Sequence, residues 1–459
     1  MFFTNYKLKI NSMPIFSLVA IILFGACSQA EPRNKTVIIS AEITVSADID
    51  STRDFSGINF TIVSPRDEIA RDTVLNAFTD VDGRFNVVAN ISERGTYPLV
   101  VSRNNRVLHI TNIVLAPNDT IRIAGTIPEL NRNFRIASTE NDAMATYERL
   151  QRLYGRVATF AYGGRVEADT IPGLMNQWSD YFWSLRTEYP GTYASELASV
   201  DAIEILEGWN DTVVMERILQ LENRNEYIPV KIIYGGHIKA RLEGIDGGLK
   251  YLESLRSSIQ DNDQRTTIDM RTIELLVDYQ EYDRALNELS RLTTRNRSDE
   301  QFQTWATSVK YELENLIPGR EVPTFSLQIT DSESISKESL LGTYYMMEVV
   351  LLADTNYQTT YPSLSSLYES IPTDLVSFYS FPLDNSQITI NGFFEERTKR
   401  WSFANAGALD QNDFLDILRI NQVPTRYLID PNGIIISRYA SHDISGLEND
   451  INTIIDSQN

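Results

Sequence analysis

Groups able to do covalent or metal chemistry are scarce in this chain of 459 residues, which holds one cysteine, Cys27, and three histidines, His109, His237 and His442. A lone cysteine excludes a disulfide framework, a thiolate zinc site and an intramolecular dithiol couple. The histidines lie too far apart in sequence to suggest a metal cluster, so neither a metal nor a cofactor is expected. His442 is followed by Asp443, but no nucleophile accompanies them, and a surface pair is the expectation. Glu395-Glu396 reads as a solvated helix face, because nothing sets two carboxylates across a cleft as glycoside hydrolysis requires. Serine-hydrolase, zinc-protease, Walker and dinucleotide motifs are missing. Asp80-Val81-Asp82-Gly83 resembles half of a calcium loop, yet an EF-hand would need acids where Phe78 and Ala89 stand. A hairpin turn, with Gly83 supplying positive φ, fits better. Trp178, Trp183 and Trp209 could form a stacking platform for sugars, but their helical spacing favours a core.

Charge and the N-terminus address location. With 41 Lys plus Arg against 62 Asp plus Glu, the formal net charge is −21, and no basic run is segregated; a nucleic-acid partner is excluded. Residues 1–26 combine Lys7 and Lys9, an apolar stretch from Pro14 to Phe24, and the small pair Gly25-Ala26 before Cys27. That stretch falls short of the ~20 apolar residues a spanning helix needs, and it reads as a cleaved signal. Phe24-Gly25-Ala26-Cys27 resembles a lipobox, which implies acylation of Cys27, a lipid anchor in a membrane, and delivery to the outer membrane because Ser28 follows. Several acyl chains would hold a protein at a membrane, each buried methylene contributing ~0.8 kcal/mol. An acylated Cys27 would leave no free thiol.

The elements beyond the tether (27–35) divide the chain into three, so a multidomain fold is expected. Residues 36–128 carry short β-branched runs, Val37–Val45, Ile58–Val63, Val74–Phe78, Phe85–Val88, Leu99–Val101, Val107–Leu115 and Ile121–Ile123. Turn signals separate them, predicting a β-sandwich. The hairpin Thr79–Phe85 resembles that of transthyretin-like, carboxypeptidase-regulatory sandwiches, in which the Phe packs inward. Residues 138–316 switch to helical periodicity, broken by Gly and Pro into several helices without a fixed repeat. Residues 319–459 alternate strand and helix: an apolar strand from Tyr344 to Leu352, a helix beginning near Asp354, a strand from Leu375 to Phe381, a strand from Ile434 to Tyr439 and a last helix near Ile444–Ile455. This order implies an α/β domain around a mixed sheet.

Three motifs in the last segment are similar to those of the thioredoxin fold, in its envelope-anchored TlpA/ResA-type branch of thiol-disulfide oxidoreductases. They are Val322–Leu327 with Ser339–Gly342, then Pro362–Tyr368, and then Val423–Gly433. The resemblance implies a cis proline at Pro424, in the loop Val423-Pro424-Thr425, facing an active-site loop. Counting back from Pro362, the C-x-x-C of that family falls on Asp354-Thr355-Asn356-Tyr357. Disulfide exchange begins with thiolate attack on sulfur, which a carboxylate cannot perform. Asp354 is instead expected to cap its helix. The expected role is a redox-inactive envelope lipoprotein whose thioredoxin-like domain binds or scaffolds, with a peptide or protein in its groove. The alternatives are redox work through a cysteine-bearing partner, and glycan binding at the cell surface.

Overall fold

A computed structural model describes residues 35–46, 52–64, 73–162, 165–167, 169–330, 332–373, 375–409, 413–440 and 442–458. The expected signal segment and Cys27 lie outside these residues. The chain forms two compact units that divide between Ile268 and Asp269, inside the helical region.

The first unit begins with eight strands: β1 (Lys35–Val45), β2 (Ile58–Val63), β3 (Thr73–Phe78), β4 (Arg84–Ile91), β5 (Gly95–Arg103), β6 (Arg106–Leu115), β7 (Thr120–Ile127) and β8 (Arg135–Ala137). They make two four-stranded sheets, ordered β4-β1-β7-β8 and β3-β2-β5-β6. Alternation decides which side chains meet: Val37, Ile39, Ala41, Ile43 and Val45 of β1 are buried, and they share one apolar core with Phe60, Ile62, Leu99 and Val101 of the other sheet. Phe85 packs inward, its ring 5.0 Å from Phe60. At the turn before it, Asp80 Oδ1 accepts the backbone N–H groups of Asp82 (3.0 Å) and Arg84 (2.9 Å). Gly83 has φ +76°, and a Cβ there would lie 2.0 Å from the carbonyl oxygen of Ile43. The carboxylate is thus committed to the turn, but β3 and β4 belong to different sheets, so this turn joins the two sheets and closes no paired hairpin, a correction to the hairpin expectation.

The helices Thr139–Tyr162, Ile171–Glu188, Tyr193–Leu206 and Asp211–Gln220 follow. Thr192 and Asn210 cap the last two by accepting from Ser195 N–H and Val213 N–H. Ala194, Ala198 and Ala202 give the third helix a small-residue face that is buried against Phe182 and Leu185. Trp178, Trp183 and Trp209 are half-buried and pack onto this same core.

In the second unit the helices Tyr282–Arg295 and Glu300–Asn315 precede the hairpin of β9 (Ser326–Thr330) and β10 (Glu333–Ser336). A five-stranded sheet follows, built from β11 (Tyr344–Val350), β12 (Val376–Pro382), β13 (Ser402–Phe403), β14 (Thr425–Ile429) and β15 (Ile435–Tyr439), in the order β13-β12-β11-β14-β15. β11 runs parallel to β12 and antiparallel to β14. Its side chains serve two cores: Tyr345, Met347 and Val349 face one that includes Phe414 and Leu316, whereas Met346 and Val350 face one built with Tyr357, Tyr361 and Trp401. A strand covered on both faces reads as a continuous apolar run, which is why YYMMEVV was legible. The mixed sheet, the helix Thr355–Ser370 between β11 and β12 and the final helix Ser445–Gln458 have the order expected of the thioredoxin-like segment.

Candidate functional site

The loop following β11 and the loop preceding β14 emerge at one end of the sheet, because Val349 lies opposite Thr425 in the antiparallel register. Asp354–Tyr357 and Val423–Thr425 therefore share that end. Asp354 is the N-cap of the helix Thr355–Ser370, its Oδ1 accepting Asn356 N–H at 2.9 Å. Thr355 and Asn356 are exposed, whereas Tyr357 is buried. Beneath the loop, the carboxylate of Asp384 accepts the N–H groups of Leu352 (2.7 Å) and Ala353 (3.2 Å), and Gln358 Nε2 donates to the Leu352 carbonyl at 2.9 Å. The Val423–Pro424 bond is cis. Val423 is half-buried, Pro424 and Thr425 are buried, and Thr425 Oγ1 donates to the carbonyl of Gln422 at 2.7 Å.

His442 corrects one expectation. It pairs with Asp354, Nε2 to Oδ2 at 3.2 Å, and not with its neighbour Asp443. Asp443 accepts instead from Ser445 N–H and Oγ, both at 2.9 Å, at the start of the last helix. A side chain adjacent in sequence is drawn to the helix start it precedes, while the segment leaving β15 carries the imidazole to the other loop. Glu395-Glu396 is a second correction: both are exposed, but they lie in a bend after the helix Gln387–Phe393, and they belong to no helix face.

Below Tyr357 sits a group of polar residues not singled out by the sequence reading. Glu348 and Arg426 are directly opposed across β11 and β14, both at 0% exposure, with Nε to Oε2 at 2.9 Å. Glu348 Oε1 also accepts from Tyr357 Oη at 2.7 Å and Ser380 Oγ at 2.5 Å. Trp401 Nε1 donates to Ser380 Oγ at 2.6 Å, which extends the network to the residue just before β13. Burial, and next the adjacent Glu348, push the Tyr357 hydroxyl well above its ordinary range, so it stays protonated and donates. Two ions taken out of water impose a desolvation cost of several kcal/mol each, and full hydrogen bonding of the carboxylate offsets it. The signal in the sequence was one acid inside YYMMEVV and one base inside TRYLI; only the register shows that they meet.

This arrangement holds no sulfur nucleophile. The Asp354 carboxylate caps a helix and meets His442, and the Tyr357 hydroxyl is spent on Glu348. Among the described residues no group of three or more His, Cys, Asp or Glu side chains is placed to hold a metal ion. His109 lies elsewhere, its Nδ1 3.0 Å from Asn131 Oδ1.

Comparison with known proteins gives matches for part of the chain. No family model matches it, and no curated protein matches it. Among solved structures, the thioredoxin domain of a thiol-disulfide oxidoreductase from Bacteroides vulgatus is similar at 19% identity and TM-score 0.28, over 31% of this chain and 99% of that one. A thiol:disulfide interchange protein from Bacteroides sp. is 17% identical with TM-score 0.27, over 31% of this chain and 92% of the other. A thiol-disulfide oxidoreductase from Bacteroides fragilis is 18% identical with TM-score 0.24, over 28% and 98% respectively.

Proposed function

We propose that this protein is a lipid-anchored component of the cell envelope whose C-terminal thioredoxin-like domain binds or scaffolds and does not exchange disulfides. The observation that carries the reading is the fate of the two positions where the resembling family places its thiols. Asp354 is a helix cap, and Tyr357 is locked onto a buried carboxylate. The only cysteine in the sequence, Cys27, lies in the lipobox-like segment, where acylation would consume its thiol. The two N-terminal sheets, joined by the turn that leads to Phe85, suit a transthyretin-like domain.

Insulin reduction by dithiothreitol tests the redox half of the reading. Added full-length protein should leave the rate at that of the protein-free blank, and turnover above it would refute the proposal. Metabolic labelling with an alkynyl palmitate tests the anchor: label should be incorporated and should vanish in Cys27→Ala.

A further inference from the structure

The edge of the five-stranded sheet carries a feature outside the loop pair. β13 covers its neighbour only at Tyr379↔Ser402 and Ser380↔Phe403. Next to this short pairing is a cavity of about 420 Å³ whose lining includes Ser377, Tyr379, Ser402, Lys399 and Arg400. Three hydroxyl-bearing residues and two cationic ones are among those that line it, in a chain whose formal net charge is −21.

Lys399 and Arg400 are set on a pinned segment. The carbonyl of Thr398, just before them, accepts from Tyr361 Oη at 2.7 Å. Trp401, just after them, is 6% exposed, stacks on Phe403 with ring centroids 5.2 Å apart, and donates to Ser380. The backbone under both cations is therefore fixed before any ligand arrives, which lowers the ordering cost of binding. Arg400 already holds one oxyanion, Glu369 Oε1 at 2.5 Å, while Lys399 has no carboxylate partner among the described residues.

We propose that this cavity is a binding site for a small phosphate ester. A phosphate dianion presents three acceptor oxygens on one centre, matching an ammonium, a guanidinium and a row of hydroxyl donors, whereas a carboxylate would leave part of the set unused. Arg400 is displaced from Glu369 or shared between the two anions. The volume leaves room for a sugar-sized body beside the phosphate.

Isothermal titration calorimetry on the full chain tests the site with inorganic phosphate, glucose 6-phosphate and glucose. Both phosphates should bind and glucose should not, and affinity should fall as ionic strength rises. Lys399→Ala should weaken binding about tenfold, since a charge-assisted hydrogen bond is lost. Lys399→Ala with Arg400→Ala should abolish it. The uncharged change Ser377→Ala with Ser402→Ala should weaken binding several-fold at an unaltered melting temperature, a readout that holds if the cation variants fold poorly. Absence of phosphate binding to the wild-type chain, equal binding of glucose, or affinities unchanged in the variants would overturn the proposal.

Discussion

The Glu348–Arg426 pair gives the sharpest energetic test of the second unit, because both groups are wholly buried and share one network. Consider Glu348→Leu, Arg426→Met and the double variant. Arg426→Met leaves an unpaired buried carboxylate and should cost about 3–5 kcal/mol. Glu348→Leu should cost at least as much, because it strands the guanidinium and also removes the acceptor of Tyr357 and Ser380, each orphaned hydroxyl adding ~1–3 kcal/mol. In the double variant no charge remains, and only the hydroxyl penalty persists. Adding Arg426→Met to Glu348→Leu should therefore recover stability, about 3 kcal/mol of it. For a unit of this size 1 kcal/mol moves the melting temperature by roughly 2–4 °C, so the recovery is ~6–12 °C. Differential scanning calorimetry of the full chain reads it, and the transition that moves identifies the unit. A double variant as unstable as the two single losses added together would refute the reasoning.

Three further outcomes follow from the same geometry. Glu274 is 1% exposed, and burial outweighs its contact with Arg271, pushing its carboxyl up to about 7. The raised value means that stability is fully present below the ordinary carboxyl range and is lost as pH rises through about 7. Glu274→Gln should thus melt higher than wild type at pH ~8 and show little difference at pH ~4.5, the gap at high pH being up to about 3 kcal/mol; a constant offset at both pH values would contradict this. Gly83→Ala should destabilise the first unit by more than about 1 kcal/mol, since positive φ is strained and the new Cβ meets the Ile43 carbonyl; an unchanged melting temperature would contradict it. Asp354→Ala should cost ~1 kcal/mol as the cap to Asn356 is lost, whereas Asp354→Asn should retain most of that stability, both read by calorimetry.

How much of this was legible in the sequence depends on whether a residue's environment is set locally. The buried positions of β1 alternate, and the apolar run of β11 reflects a strand covered on both faces; each announces itself within a few residues. Asp354 was legible as a cap for the same reason, as an acid at the first turn of a helix. β13 was not, because two residues carry no period. Nor was the partner of His442, since Asp443 stands beside it in sequence while Asp354 arrives through the fold. Glu348 and Arg426 were hidden for a related reason: each alone looks like a fault in an apolar strand, and their complementarity exists only across the β11–β14 register.

That complementarity also bears on why the loop looks as it does. A tyrosine at position 357 is tolerable only because an acceptor waits below it; with an apolar residue at 348, its buried hydroxyl would be orphaned. Conversely, Glu348 without Tyr357 would depend on Ser380 and Arg426 for its hydrogen bonds. The side chain at 357 therefore belongs to the interior and not to the solvent-facing loop, and its ring packs 6.1 Å from Phe393 and 6.3 Å from Tyr361. The exposed side chains at this point of the loop are then Thr355 and Asn356, above a buried network in which every oxygen of the Glu348 carboxylate accepts a hydrogen bond.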